Sequence, residues 1–221
     1  MSPIFLLLSL LLFTPTTTTA DIVLDYEGNP VMGGSFYYGI SLGINLEGAY
    51  ISGGTTMFNN GTVSCPSFIV AQSNISNRDL GIPIKFTPQI STEKNNIYTY
   101  SDLSIAFRFL RPEPLCRRRY TTVWAESANK LVLNGEKGSN RSWFKLEKVD
   151  YFADPVYKIL YENKKVLYDQ QPNGEILLSL EKGYPFLVFF RKIHEGSSST
   201  TFADFLKMPR LPFAQGLFAN K

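Results

Sequence analysis

Short runs of apolar and β-branched residues recur along this chain between turn-forming residues, a pattern that is typical of β-strands. Almost no segment keeps a helical period of apolar positions. The runs follow each other at intervals of roughly 8–12 residues, which favours a β-sandwich or a β-barrel and leaves both open. The predicted strands are 36–44, 68–72, 84–86, 97–100, 105–109, 121–124, 143–149, 157–161, 176–180 and 186–192.

The first twenty residues have the pattern of a targeting segment. An apolar core at 4–13 is followed by a polar stretch at 14–19, and Thr18 and Ala20 supply small residues for cleavage before Asp21. The alternative is a membrane anchor, but about ten apolar residues are too few to cross roughly 30 Å of hydrocarbon as a helix. We therefore predict a signal peptide at 1–20 and a secreted, soluble protein with no membrane partner.

Secretion changes the interpretation of the two cysteines and of three sequons. In an oxidising compartment Cys65 and Cys116 are expected to pair, and the alternative is two free buried thiols. A bond that closes a loop of roughly fifty residues would stabilise the fold by about 4 kcal/mol. The Asn-x-Ser/Thr sequons make three residues candidates for glycosylation, namely Asn60, Asn74 and Asn140.

Composition and charge narrow the classes of function. The chain has 221 residues and a formal net charge of +3, so it suits one large β domain and does not indicate a nucleic-acid partner. The single histidine, His194, lies in no catalytic motif, and neither Gly-x-Ser-x-Gly nor the spacing of a metal site occurs. The nineteen acidic residues single out no carboxylate pair for hydrolysis. We therefore expect that this protein is not an enzyme and that it binds no metal and no cofactor.

An ordered succession of short motifs runs from Asp21 to about Lys192. It opens with DIVLDYEGNP at 21–30 and continues with Gly33, Gly34 and 36–38. The later motifs are Cys65-Pro66, 70–72, 81–88, 101–107, Cys116, Val123-Trp124, 142–148, 157–159 and 185–191. In order and spacing this succession resembles the plant Kunitz-type (soybean trypsin inhibitor) family.

The resemblance implies an all-β fold, the β-trefoil, in which a six-stranded barrel with pseudo-threefold symmetry is capped by three hairpins. It assigns 21–194 to one such domain and leaves 195–221 as a C-terminal extension. The Ser/Thr run in this extension is typical of a linker. Its apolar tail is interpreted as a sorting propeptide, a partner-binding segment or a strap on the barrel. We expect a secreted, extracellular monomer, with vacuolar sorting if the tail is a propeptide.

The resemblance also implies a function, the inhibition of an endopeptidase by a substrate-like loop. It places this loop between Pro88 and Ile97, at Gln89, Ile90, Ser91, Thr92, Glu93, Lys94, Asn95 and Asn96. Such a loop inhibits because it is held extended before binding, so that little conformational entropy is lost. The expected partner is a serine endopeptidase, with a cysteine endopeptidase as the second class. The alternative is a non-inhibitory β-trefoil that binds a carbohydrate or a protein or serves as storage.

Two loop residues compete as the residue that enters the primary pocket of the protease. Lys94 is the only cation in the loop and would suit a trypsin-like pocket, which has a carboxylate at its base. Ile90 is the alternative, because the loop is longer than in the best-known inhibitors. Many inhibitory members carry an Asn near the N-terminus that supports the loop from inside, and the matching residue here is Gly33. We therefore expect a more mobile loop and weak inhibition.

Overall fold

The structure is a computed structural model that describes residues 20–42, 50–54, 68–72, 81–108, 122–133, 135–172 and 176–193. Several predicted features lie outside the described residues and stay predictions, namely the cleaved segment up to residue 19, Asn60, Cys65, Asn74, Cys116, His194 and the extension 195–221. Within the described ranges the chain forms fourteen strands and one 3-10 turn at Asn140–Ser142. The strands are β1 (Phe36–Ser41), β2 (Tyr50–Gly54), β3 (Phe68–Gln72), β4 (Ile84–Pro88), β5 (Leu103–Phe107), β6 (Trp124–Ser127), β7 (Lys130–Leu133), β8 (Lys145–Lys148), β9 (Tyr157–Tyr161), β10 (Lys164–Lys165), β11 (Leu167–Gln170), β12 (Ile176–Ser179), β13 (Tyr184–Pro185) and β14 (Leu187–Lys192).

Six of these strands close into a barrel. β1 pairs with β4 and β14, β4 pairs with β5, β8 pairs with β9, and β9 pairs with β14, all antiparallel. The ring closes between β5 and β8, where Leu103 and Phe144 exchange two main-chain hydrogen bonds of 2.9 Å each. Closure leaves no unpaired edge strand in this ring.

Three hairpins, β2–β3, β6–β7 and β11–β12, form the second part of the fold. Their inner strands pair with one another, since β3 pairs with β7, β7 with β12, and β12 with β3. One strand from each hairpin therefore contributes to a triangle of pairings. A six-stranded barrel with three mutually paired hairpins confirms the predicted all-β class and the β-trefoil.

Large apolar side chains that alternate along the strands fill the interior. In β4, for example, Ile84 and Phe86 are fully buried while the residues between and after them are only half-buried. The Phe86 ring meets the edge of Phe190 from β14 at 4.9 Å between centroids. Trp124 and Phe144, both fully buried, form a second edge-on pair. Strands from distant parts of the sequence thus share one apolar core.

The N-terminal hairpin, residues 22–32, is fastened to the barrel by two buried tyrosines. The Leu24 N–H donates to the Tyr157 hydroxyl at 2.7 Å, and the Met32 N–H donates to the Tyr37 hydroxyl at 2.9 Å. Burial raises the pKa of both phenols above its ordinary value, which keeps them protonated at neutral pH. The barrel core therefore fixes the position of this hairpin.

Asp25 shapes the turn of the N-terminal hairpin. Its side chain is buried, and Oδ1 accepts hydrogen bonds from the Glu27 N–H at 3.0 Å and from the Asn29 N–H at 2.9 Å. Gly28 completes the turn with a φ of 82°, a conformation that glycine adopts without steric cost. The motif that opens the resemblance is thus a side-chain-capped turn.

The strand predictions are confirmed in part. Segments 68–72 and 157–161 coincide with β3 and β9, and the other predicted strands overlap observed ones, with one exception. The predicted continuous strand at 97–100 is wrong, because residues 96 and 98 make single bridges to two different segments. β2, β7, β10, β11 and β13 were not predicted. In the part of the chain that the structure describes, no helix is long and apolar enough to cross a membrane.

Asp25→Ala is expected to lower the free energy of unfolding by about 1.5–3 kcal/mol, because hydrogen bonds to a charged group contribute about this much. Urea denaturation followed by tryptophan fluorescence measures the change. Asp150→Ala is the matched control, since Asp150 is exposed and its loss should change stability by no more than about 0.5 kcal/mol. Equal small effects of both substitutions would show that the Asp25 turn does not stabilise the fold.

Candidate protease-binding loop

The predicted loop begins where β4 ends. The Gln89 N–H donates to the carbonyl of Asp102 at 2.9 Å, which extends the pairing of β4 with β5 by one residue and fixes the start of the loop. Beyond this bond the chain leaves the barrel, and Gln89, Ile90 and Ser91 are exposed. Ile90 has 78% of its surface accessible, the largest fraction among the exposed large apolar side chains of the described residues.

A tight turn forms the second half of the loop. The Asn95 N–H donates to the Thr92 carbonyl at 2.9 Å, which leaves Glu93 and Lys94 at the exposed corners of the turn. Asn95 has a φ of 53°, in the left-handed region that Asn tolerates better than most residues. The Thr92 hydroxyl is buried, with no hydrogen-bond partner among the described residues. Lys94 is thus solvent-exposed, but it lies on a closed turn.

Two hydrogen bonds join the end of this turn to the N-terminal segment, and we call them the Gly33–Asn95 clasp. The Gly33 N–H donates to the Asn95 carbonyl at 2.7 Å, and the Asn95 Nδ2 donates to the Gly33 carbonyl at 2.6 Å. The Gly34 N–H also donates to the Phe86 carbonyl in β4 at 2.9 Å. The clasp therefore connects the loop to the barrel through residues 33 and 34.

The clasp corrects the expectation that Gly33 leaves the loop unsupported. An Asn side chain does support the loop, but it is carried by the loop itself, at position 95. A Cβ at position 33 would lie 2.8 Å from Pro88 Cδ and 3.0 Å from Asn95 Oδ1, closer than normal contact distances. Position 33 therefore has no room for a supporting side chain, and Gly33→Asn would displace the loop.

The chain leaves the loop between the two strands of the N-terminal hairpin. The Ile97 N–H donates to the Val31 carbonyl and the Val23 N–H donates to the Ile97 carbonyl, each at 2.9 Å. The Val31 N–H donates to the Val23 carbonyl at 2.8 Å, which completes a triangle. Asn96 pairs with Met32 and is only 8% exposed. Of the eight predicted loop residues, Asn96 is therefore the one that lies in the interior.

Exposed apolar side chains surround the loop, and sequence reasoning did not identify them. Ile22 is 40% exposed, and Met32 and Tyr100 are exposed to a similar degree. Ile22 pairs with Tyr98, so these side chains lie on the segments that flank the end of the loop. Burial, and then the charges of Glu147 and Asp150, raise the pKa of Tyr100, so its phenol is neutral at neutral pH. Residues 22–24 are Ile-Val-Leu, so no alternation of apolar and polar residues in the sequence indicates which of them is exposed.

The structure provides less information about the other predicted sites. Asn140 is exposed at the start of the 3-10 turn, whereas Ser142 of the same sequon is fully buried, and glycosylation stays a prediction. The described ranges contain no group of three His, Cys, Asp or Glu residues that could hold a metal. Their two salt bridges, Lys145–Asp102 and Lys158–Glu147, do not involve loop residues.

Comparison with known proteins identifies the family. A family model described as "Trypsin and protease inhibitor", that of the legume Kunitz family, matches residues 23–192. The chain therefore belongs to this family, and the resemblance drawn from the motif order is confirmed. One relative, Kunitz trypsin inhibitor 3 of Arabidopsis thaliana, is 24% identical over 194 residues, which are 82% of this chain and 82% of that protein.

Solved structures share the fold. The water-soluble chlorophyll protein of Brassica oleracea var. Botrytis with chlorophyll b superposes with a TM-score of 0.66 at 23% identity, covering 79% of this chain and 99% of that one. A chain from the complex of porcine pancreatic trypsin with soybean trypsin inhibitor gives a TM-score of 0.62 at 24% identity, covering 79% and 100%. At these identities the likeness establishes the fold alone.

Asn95→Ala is expected to speed the amide hydrogen exchange of Gly33 and Ile97 by about fivefold, because one hydrogen bond of about 1 kcal/mol is lost. Asn163→Ala is the matched control, since Asn163 also has a left-handed φ but lies in the turn between β9 and β10. The control substitution also replaces an Asn at a left-handed position, but it leaves the loop unchanged. Unchanged exchange at Gly33 in Asn95→Ala would contradict the role of the clasp.

Proposed function

We propose that this protein inhibits an endopeptidase of the serine class through the loop at 89–96. The observation that carries the proposal is an exposed segment held at both ends, by the Gln89–Asp102 bond at its start and by the Gly33–Asn95 clasp at its end. A segment already held in one conformation loses little conformational entropy on binding. Membership in an inhibitor family supports the same function and agrees with the expectation that the chain is not an enzyme.

The same anchors explain how such a segment could withstand the protease. If the enzyme cuts within residues 90–94, the Gln89–Asp102 bond and the clasp still hold the two new ends to the barrel. The ends cannot diffuse apart, so the cut is reversible and the enzyme stays occupied. Without one of these anchors the new end on that side could move away, and the cut bond would reform more slowly.

The site of action and the state of the chain belong to the same proposal. We infer a secreted monomer whose segment 1–20 is removed, with Cys65 and Cys116 joined by a disulfide and with the extension 195–221 available for sorting. Secretion would place the inhibitor where foreign or extracellular endopeptidases act.

The test is a panel of inhibition assays on the secreted protein with trypsin, chymotrypsin, elastase, subtilisin and papain. We expect a submicromolar inhibition constant for at least one serine enzyme. The double variant Ile90→Asp/Lys94→Ala should lose this inhibition whichever residue enters the pocket, because hot-spot contacts contribute about 2 kcal/mol or more each and Asp suits neither an apolar nor a trypsin-like pocket. The control Lys182→Ala/Tyr184→Ala changes an exposed lysine and an exposed aromatic residue away from the loop and should retain it.

Three outcomes would contradict the proposal. Absence of inhibition across the panel would favour the non-inhibitory alternative, a β-trefoil for binding or storage. Inhibition that survives in the double variant would place the inhibitory surface elsewhere on the protein. Inhibition of papain alone would move the target to the cysteine class.

A further inference from the structure

The geometry of the loop distinguishes between Ile90 and Lys94 as the residue that enters the primary pocket. A serine endopeptidase binds its substrate in an extended conformation and contacts residues on both sides of the one in its pocket. The primary residue of a substrate-like loop must therefore be exposed itself and have accessible, open neighbours. The two candidates differ sharply in this respect.

Lys94 does not meet this requirement. It is a corner residue of the Thr92–Asn95 turn, so the backbone around it is folded back by a hydrogen bond. The next residue, Asn95, is left-handed and uses its N–H, its carbonyl and its side-chain amide in the turn and in the clasp. The residue after that, Asn96, is almost fully buried. An enzyme with Lys94 in its pocket would have to break these contacts to reach residues 95 and 96.

Ile90 meets the requirement. Its own side chain is the most exposed of the large apolar side chains described, and both neighbours, Gln89 and Ser91, are exposed. Within the described residues, no main-chain hydrogen bond involves Ile90 or Ser91, so their N–H and carbonyl groups are available to a protease. The Gln89–Asp102 bond lies directly before this segment and keeps it in place.

The surroundings of the loop agree with an apolar contact. Four of the six exposed large apolar side chains of the described residues, Ile22, Met32, Ile90 and Tyr100, lie in the loop or on the segments next to its exit. Apolar side chains that gather in one region of a soluble protein mark an interaction surface. Charged side chains border this region, because Asp102, whose carbonyl holds Gln89, pairs with Lys145, and the charge of Glu147 acts on Tyr100.

We propose that Ile90 is the residue that enters the primary pocket, and that the target is a serine endopeptidase whose pocket is apolar and wide enough for a β-branched side chain, of the elastase type. This inference rests on the proposed function and refines it. In a trypsin-like pocket, Ile90 would leave the buried carboxylate without a charged partner. A trypsin-like target is therefore disfavoured.

Three single variants test the assignment against elastase and trypsin. Ile90→Asp should weaken elastase inhibition by about thirtyfold or more, because it puts an unpaired charge into an apolar pocket at a central anchor position, whereas Lys94→Ala should change it by less than about threefold. Ile90→Lys should create trypsin inhibition and reduce elastase inhibition, because it places a cation at the accessible position. Thermal unfolding of each variant checks that the fold is intact, and the gain of trypsin inhibition by Ile90→Lys requires a folded loop.

The outcomes separate this inference from the proposed function. If the parent protein inhibits trypsin and Lys94→Ala does not, the assignment of Ile90 is wrong, but the inhibitory function stands. Elastase inhibition that is unaffected by Ile90→Asp also overturns the assignment. Failure of the parent against every serine enzyme overturns the function and the assignment together.

Discussion

Main-chain hydrogen bonds among Val23, Val31 and Ile97 hold the end of the loop against the N-terminal hairpin, and the position of the loop depends on them. The hairpin is in turn bonded to Tyr37 and Tyr157, which belong to the barrel core. These contacts thus connect the core to the hairpin and the hairpin to the loop. Packing inside the barrel therefore determines the position of an exposed segment, because these hydrogen bonds are directional and at least partly buried.

The clasp makes the loop partly self-supporting. Because the supporting amide belongs to Asn95, the N-terminal segment needs only a backbone that comes close, and Gly33 provides it. The left-handed backbone at Asn95 brings its side chain and its carbonyl to the same partner residue. This arrangement divides the loop into an open half, Gln89–Ser91, and a closed half, Thr92–Asn96. The closed half attaches the loop to the barrel, and the open half is the part that we propose contacts an enzyme.

Sequence patterns predicted the fold better than the site. Segments such as 157–161 were predicted to the residue because strong β-formers stand between turn residues. β7 was missed because its hairpin turn, Ala128–Asn129, lacks the glycine that usually marks two left-handed residues. The Gly33–Asn95 clasp joins residues 62 positions apart, and no periodicity or motif encodes such a contact. The resemblance supplied the loop range, whose role stays a prediction, whereas the division between its two halves depends on hydrogen bonds that only the structure contains.

The most direct test of this account is the position at which a protease cuts the loop. The protein is incubated at mildly acidic pH with a catalytic amount of elastase, and the new chain end is identified by mass spectrometry and N-terminal sequencing. We predict one cut, addition of one water across the Ile90–Ser91 bond, with the two fragments still inhibitory and still associated under native conditions after the proposed Cys65–Cys116 disulfide is reduced. A first cut after Lys94, or reduced fragments that separate without denaturant, would contradict this prediction.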